Sequence, residues 1–291
     1  MKIAAYLDRG RPGVGIVSSD LLSVLPLALA EAELARGALP VVEMLAAGAP
    51  LPATGAPLAM DAVQLRAPIP QPRRNIFCVG KNYHAHAKEF AGSGFDSSAK
   101  SGGEIPAAPI IFTKVPECVI ANGDSIVVPT GVSTAIDYEA ELAVVIGRGG
   151  RRIRKEDAMS HVWGYTVVND VTARDWQSRH QQWDMGKSFD TFCPMGPWLV
   201  SADELDGTDT RVRCWVNGEL RQDATTRDFI FDIPTLIETL SAGITLFPGD
   251  IIATGTPVGV GIGFKPPKYL QAGDTVRLEV DGIGVLENPL R

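Results

Sequence analysis

The chain has 291 residues, 45% of them apolar and 21% charged, the composition of a globular protein with room for a sizeable core in one large domain or two. That excludes a disordered chain, a coiled coil and a collagen-like repeat. With 27 basic against 34 acidic side chains the net charge is −7, and a negative long-range field argues against a nucleic-acid partner while leaving room for a local cationic site that takes a small anion.

Apolar runs are short. The longest, residues 21–32, contains Pro26 and falls short of the roughly 20 residues that span a bilayer. The first residues hold no apolar core of a secretion signal, so no membrane partner is expected. Cys78, Cys118, Cys193 and Cys214 lie far apart with no C-x-x-C spacing, as reduced thiols of a cytoplasmic protein do.

Residues 2–7 and 14–17 read as two short strands around a turn at 8–15. Asp20 can cap a helix running to about Arg36, with Gly37 as its stop. Residues 50–72 are rich in Pro, Ala and Gly and read as a linker, which divides a small N-terminal domain, 1–70, from a larger one, 71–291. Ile76–Gly80 reads as a buried strand, 81–105 as a mobile segment with a Gly/Ser tract, and 108–114 as a strand. Gly-Asp pairs at 123–124, 249–250 and 273–274 each precede a β-branched run (125–129, 251–254 and 275–280), the pattern of turns opening strands. Residues 137–147 and 162–171 are further strands with a short helix at 155–161 between them, and 232–242 is a helix with Pro234 in its first turn. The sum is an α+β, strand-rich chain with a large mixed or antiparallel sheet. No βαβ unit carries a G-x-G-x-x-G, so a dinucleotide fold is not expected.

The strongest local signal is Asp137-Tyr138-Glu139-Ala140-Glu141-Leu142-Ala143-Val144-Val145-Ile146. In a strand, Glu139 and Glu141 share a face with Ala143 and Val145. Two carboxylates on a face that turns apolar repel unless compensated, and hard divalent cations compensate them; two surface acids on a solvated edge are the bland alternative. Asp170, where the 162–171 strand meets a loop, supplies a third carboxylate, or else simply caps the next segment. Lys187, in Gly186-Lys187-Ser188-Phe189-Asp190, can stabilise a developing oxyanion or be a surface lysine. Arg174 is a candidate substrate contact, or else forms a structural pair with the adjacent Asp175. Gln177 can donate to a substrate carboxylate. Thr254, Gly255 and Thr256 form a turn that either holds a substrate carboxylate or is only a tight turn. His86 and Glu89 share a face if their segment is helical, and a carboxylate would then orient the imidazole as a general base. His84, His161 and His180 read as surface residues, and Cys193 has no base beside it in sequence.

Several segments, in this order, resemble the fumarylacetoacetate hydrolase family: Phe77-Cys78-Val79-Gly80-Lys81-Asn82-Tyr83, Asp137-Tyr138-Glu139-Ala140-Glu141, Asn169-Asp170-Val171-Thr172-Ala173-Arg174-Asp175-Trp176-Gln177, Gly186-Lys187-Ser188-Phe189-Asp190-Thr191-Phe192, and Pro248-Gly249-Asp250 through Thr254-Gly255-Thr256-Pro257. The resemblance covers about residues 75–290. It implies a mixed β-roll or β-sandwich catalytic domain, a small N-terminal α+β domain and a homodimer. It implies Mg²⁺ or Mn²⁺ held by Glu139, Glu141 and Asp170, a lid pair at His86 and Glu89, and substrate-side groups at Lys187, Gln177 and Thr254. Members that hydrolyse fumarylacetoacetate carry a further aspartate where this chain has Lys81-Asn82, so that activity is not expected. The first expectation is carbon–carbon hydrolysis of a 2,4-dioxo acid of the acylpyruvate or fumarylpyruvate type, releasing pyruvate. The alternatives are oxaloacetate decarboxylation or tautomerisation, or dienedioate isomerisation, on the same metal; a rival of another class is a non-catalytic protein that binds small molecules.

Overall fold

Arg9 and Gly10 take φ of 49° and 80°, the backbone of a two-residue hairpin turn whose twist matches its strands. They join β1 (Lys2–Asp8) to β2 (Arg11–Val17), so the turn is shorter than the 8–15 read from sequence. The computed structural model describes residues 1–91 and 105–291; the Gly/Ser tract within 92–104 lies outside the described residues.

The helix expected over 20–36 does not form. Pro26 cannot donate a helical hydrogen bond, and its segment, β3 (Ser23–Pro26), instead pairs with β2 and buries Val24. Asp20 accepts from Leu22 N at 3.0 Å in the turn before it. Helices α1 (Glu31–Leu34) and α2 (Leu39–Ala46) follow, on either side of Gly37. Nor is 50–72 a bare linker. It contains β4 (Leu58–Ala59), which extends β3, and β5 (Gln64–Leu65), which pairs with β1, and it buries Ala67 and Ile69.

The remaining elements are β6 (Ile76–Gly80), α3 (His84–Ala91), β7 (Ile110–Lys114), β8 (Val119–Ile120), β9 (Ile136–Asp137), β10 (Ala140–Ile146), β11 (Val162–Asn169), β12 (Thr172–Ala173), α4 (Arg174–Arg179), α5 (Asp184–Lys187), β13 (Cys193–Ser201), β14 (Arg211–Val216), β15 (Glu219–Thr225), α6 (Ile233–Ser241), β16 (Ile251–Ala253), β17 (Thr275–Val280) and β18 (Gly284–Pro289). The main sheet has 12 strands in the path β4-β3-β2-β1-β13-β11-β10-β16-β6-β7, with β5 and β8 attached beside it. Its β16–β6 and β13–β8 pairs are parallel and the rest antiparallel. Residues 1–70 enter this same sheet where Lys2 pairs with Val200 and Ile3 with Leu199. A second, antiparallel sheet runs β15-β14-β17-β18. The α+β, mixed-sheet class expected from sequence is the one observed.

The three Gly-Asp turns share one construction. Gly123, Gly249 and Gly273 take φ of 85°, 83° and 95°, and each following Asp accepts from the backbone N–H three residues back, at 2.9, 2.7 and 2.8 Å. Two of them open strands. The first does not: residues 125–129 make a single bridge, Ile126↔Leu290, along the C-terminus before Pro129 ends the run. The helix expected over 232–242 forms as α6, capped by Asp232, which accepts from Thr235 N at 2.9 Å, and Lys155–His161 is a 3-10 turn. His161 is buried, not a surface residue, because its Nδ1 lies 2.6 Å from the Arg148 carbonyl oxygen. All four cysteines are free and buried. Among the described residues no helix is long and apolar enough to cross a membrane.

β10 sits in the middle of the main sheet and is buried along its whole length. Ala140, Leu142, Val144 and Ile146 face a core shared with Val212, Cys214, Val276 and Leu278 of the second sheet. Ala143 and Val145 face a second core with Ile251, Ala253, Cys78 and Met195. The strand is therefore clamped on both faces, a rigid base for the acid it carries. Leu142→Ala, which opens a void between the sheets, is expected to lower the unfolding free energy by about 2–5 kcal/mol, seen in urea titration as a lower midpoint with an unchanged slope.

Candidate active site

Between β9 and β10 the ladder breaks at Tyr138 and Glu139. The Asn169 side chain fills the break by accepting from Glu139 N at 3.0 Å, and Asp170 N donates to the Glu139 carbonyl at 2.9 Å. That exchange sets Asp170 beside Glu139. Glu141, inside β10, points to the same side as Ala143. One carboxylate oxygen from each of Glu139, Glu141 and Asp170 lies within 4.8 Å of the others, and all three residues are buried. The two-residue spacing read from sequence puts Glu139 and Glu141 on one side, and the strand-end exchange brings Asp170 to them.

Three buried cations answer them. Lys187 Nζ lies 2.7 Å from both Glu139 Oε2 and Asp170 Oδ2. Lys114 Nζ lies 2.7 Å from Asp170 Oδ1, and donates to the carbonyls of Val171 at 3.1 Å and of Lys187. Arg174 reaches Glu139 Oε1 through Nη2 at 2.7 Å and Asp137 Oδ2 through Nε at 2.8 Å. Arg174 and Asp175 are not a pair; Asp175 takes the Ser133 hydroxyl at 2.6 Å. Lys187 reaches the cluster because Gly186 packs α5 tightly onto α4, where a Cβ would come within 2.5 Å of Gln177 N.

The charges are unequally compensated. Burial raises the Glu139 carboxyl, but Lys187, Arg174 and His86 together bring it down to about 2. Burial, Asp170 and Glu139 push Glu141 well above the usual carboxylate range, and Lys187 and Gly255 N–H offset this only in part. Gly255 N donates to Glu141 Oε2 at 2.8 Å.

A small, partly open pocket lies beside the cluster. Its polar lining is Lys81, His86, Glu139, Gln177, Lys187 and Thr256, and Phe90, Phe112 and Trp183 form apolar walls. His86, on α3, holds Glu89 Oε2 at 3.0 Å through Nδ1, the i,i+3 pairing expected of a helical segment. Gln177 Oε1 accepts from Arg174 Nη1 at 3.1 Å, which turns its amide N–H groups toward the cavity. Three expected substrate contacts are placed otherwise. Thr254 Oγ1 donates to the Leu142 carbonyl at 2.7 Å, Gly255 supports Glu141, and Arg174 stands behind Glu139 rather than on the cavity wall. Only Thr256 of that turn lines the cavity. Lys114 was not singled out by sequence reasoning, and Asp137 and Lys81 stood in the family-like segments without a role of their own. The one signal for Lys114 was a lysine closing an apolar strand run.

Three convergent carboxylates, one of them poorly compensated, form an oxygen donor set that suits a hard divalent cation. Folding favours the protonated form of Glu141, so the metal-free protein draws stability from this group at low pH and loses it as pH rises through the elevated value. A cation requires the ionised form. Mg²⁺ is therefore expected to raise the melting temperature more at about pH 8 than at about pH 5.5, and Glu141→Gln to remove the effect at both. Equal shifts at both pH values, retained in the variant, would contradict this placement.

Sequence comparison supports the same grouping. The fumarylacetoacetate (FAA) hydrolase C-terminal family matches residues 75–291. The chain is 52% identical over 232 residues to the oxaloacetate tautomerase YisK of Bacillus subtilis, covering 79% of this chain and 74% of the relative. It is 44% identical over 236 residues to the mitochondrial oxaloacetate tautomerase fahd2 of Xenopus laevis, covering 80% and 70%. Among solved structures, the fumarylacetoacetate hydrolase of Exiguobacterium antarcticum superposes with a TM-score of 0.85 at 38% identity, covering 100% of this chain and 99% of the other. The 2-hydroxyhepta-2,4-diene-1,7-dioate isomerase of Mycobacterium marinum gives 0.79 at 32% (100% and 98%), and the maleylpyruvate hydrolase of Sphingobium 0.78 at 30% (100% and 99%). With its family match, its fold and its ordered motifs in agreement, the chain belongs to the fumarylacetoacetate hydrolase family.

Proposed function

We propose that this protein is a divalent-cation-dependent enzyme acting on small 2-oxo acids, that its reaction is the keto–enol tautomerisation of oxaloacetate, and that Mg²⁺ or Mn²⁺ is its cofactor. The observation that carries the reading is the convergence of His86, Gln177 and Lys187 on one cavity beside the acidic cluster, in a chain 52% identical over 232 residues to a named oxaloacetate tautomerase. The hydrolysis expected first from sequence takes second place because the Bacillus subtilis and Xenopus laevis relatives are both named oxaloacetate tautomerases.

Glu139, Glu141 and Asp170 would hold the cation, which when bound polarises the 2-oxo group of a chelating acid. The chain's own groups do the rest. The Gln177 amide donates to the C1 carboxylate. Glu89 fixes the proton of His86 on Nδ1, leaving Nε2 to accept a proton from C3. As the C3–H electron pair becomes the C2=C3 bond, charge gathers on the 2-oxo oxygen, where Lys187 N–H donates to it, and the proton held by His86 passes to that oxygen as the enol O–H, which restores the neutral imidazole. No water attacks, and Phe90, Phe112 and Trp183 give the pocket apolar walls. Hydrolysis remains the second reading, favoured by the likeness to a maleylpyruvate hydrolase; there His86 deprotonates water instead. A homodimer is proposed with it, tested by light scattering. The four free thiols suit a cytoplasmic location.

The enol absorbance of oxaloacetate, followed with Mg²⁺, Mn²⁺ and EDTA, tests the reading alongside pyruvate release from acetylpyruvate and fumarylpyruvate. Metal-dependent interconversion without loss of total oxaloacetate is expected, and His86→Ala should lower kcat by about 10²–10⁴-fold while leaving cation affinity within about threefold. Pyruvate released from a dioxo acid, with no tautomerisation, would establish hydrolysis instead. Neither reaction would favour a binding protein.

A further inference from the structure

Asp137 lies outside the cavity, yet it joins the two halves of the site. The side chain is fully buried and takes four donors. Oδ1 accepts from Gly261 N at 2.6 Å and Tyr138 N at 2.9 Å, and Oδ2 accepts from Ile262 N at 3.0 Å and Arg174 Nε at 2.8 Å. On one side, Arg174 carries the connection to Glu139 at 2.7 Å and to Gln177 at 3.1 Å. On the other, the loop 257–264 carries it to Glu89. Gly259 N donates to Glu89 Oε1 at 3.0 Å, and a Cβ on Gly263 would lie 2.0 Å from that same oxygen. The Tyr138 hydroxyl fastens the loop again by donating to the Gly259 carbonyl at 2.8 Å. The neighbouring Phe90 of α3 sits with its ring 5.8 Å from the Arg174 guanidinium.

We propose that Asp137 is a positioning residue that couples cation binding at Glu139, Glu141 and Asp170 to the seating of the His86–Glu89 pair. The inference rests on the metal reading above. Glu139 divides its two oxygens between Lys187 and Arg174. A cation that claims one of them redistributes these pairings, and Arg174 passes the change to Asp137. Asp137 holds two consecutive backbone N–H groups of the loop on which Glu89 rests, so the loop and the base are ordered with the cation. Coupling of this kind is reciprocal: what unseats Glu89 must also weaken the cation.

Hydrogen exchange on the full chain, with and without saturating Mg²⁺, tests it together with Mg²⁺ titration calorimetry. In the wild type, Mg²⁺ is expected to slow exchange in residues 84–91 and 257–264 by about fivefold or more. Asp137→Asn should still bind Mg²⁺ with the slowing reduced below about twofold, and Gly263→Ala, which removes the space for Glu89, should weaken Mg²⁺ by about fivefold or more. Wild-type slowing in an Asp137→Asn protein that binds Mg²⁺ overturns the proposal. So does Mg²⁺ binding by the wild type with no slowing, which leaves the metal reading intact. No Mg²⁺ binding by the wild type overturns both. If Asp137→Asn does not fold, Gly263→Ala decides, and unchanged Mg²⁺ affinity in it overturns the coupling.

Discussion

Charge held inside the fold is the constraint on which this structure depends. Asp137, Glu139, Glu141 and Asp170 are buried together, and Lys114, Arg174 and Lys187 are buried against them. Removing water from so many ions is costly unless each finds partners of good geometry. Here nearly every carboxylate oxygen meets an ammonium, a guanidinium or a backbone N–H. Glu141 is the exception in charge: among the described residues its hydrogen-bond donor is the neutral Gly255 N–H. The deficit sits on the acid presented by a strand packed on both faces, and a bound cation would relieve it.

The fold supplies this rigidity by simple means. β10 has a core on each face, so Glu141 is fixed by Leu142 and Val144 packing one way and Ala143 and Val145 the other. Glu139 and Asp170 come from the two places where strand pairing is interrupted, and a side chain, Asn169, replaces the missing ladder contact. The proposed catalytic pair, His86 and Glu89, comes from a different source: α3 is a short helix docked through Glu89 onto a glycine-containing loop. Precise acids on a clamped strand and a base on a docked helix suit a reaction in which the chelating end of the substrate stays still while a proton moves.

Much of the cluster was legible in the sequence because strand geometry repeats every two residues. Glu139 and Glu141 needed only that rule, Asp170 a strand end, and His86 and Glu89 a helix spacing. Lys114 and Asp137 were hidden because their meaning lies in partners 56 and 37 residues away, and one charged residue at the end of an apolar run says nothing about which distant charge it meets. Arg174 was matched to its neighbour Asp175, but adjacent side chains in a helix diverge, so the guanidinium was free to turn to Asp137 and Glu139. Thr254 was read as a substrate contact, whereas its hydroxyl satisfies the Leu142 carbonyl. The misread helix at 20–36 shows composition yielding to Pro26 and to a sheet that needed another strand.

The account stands or falls on where the cation binds. A crystal structure grown with Mn²⁺ and oxalate, with anomalous scattering used to locate the ion, measures this directly. The account predicts one Mn²⁺ coordinated by Glu139, Glu141 and Asp170, with Lys187 no longer bridging Glu139 and Asp170 and its ammonium turned to the oxalate. An ion elsewhere, or Lys187 still bridging the two acids with no ion among the carboxylates, would contradict it.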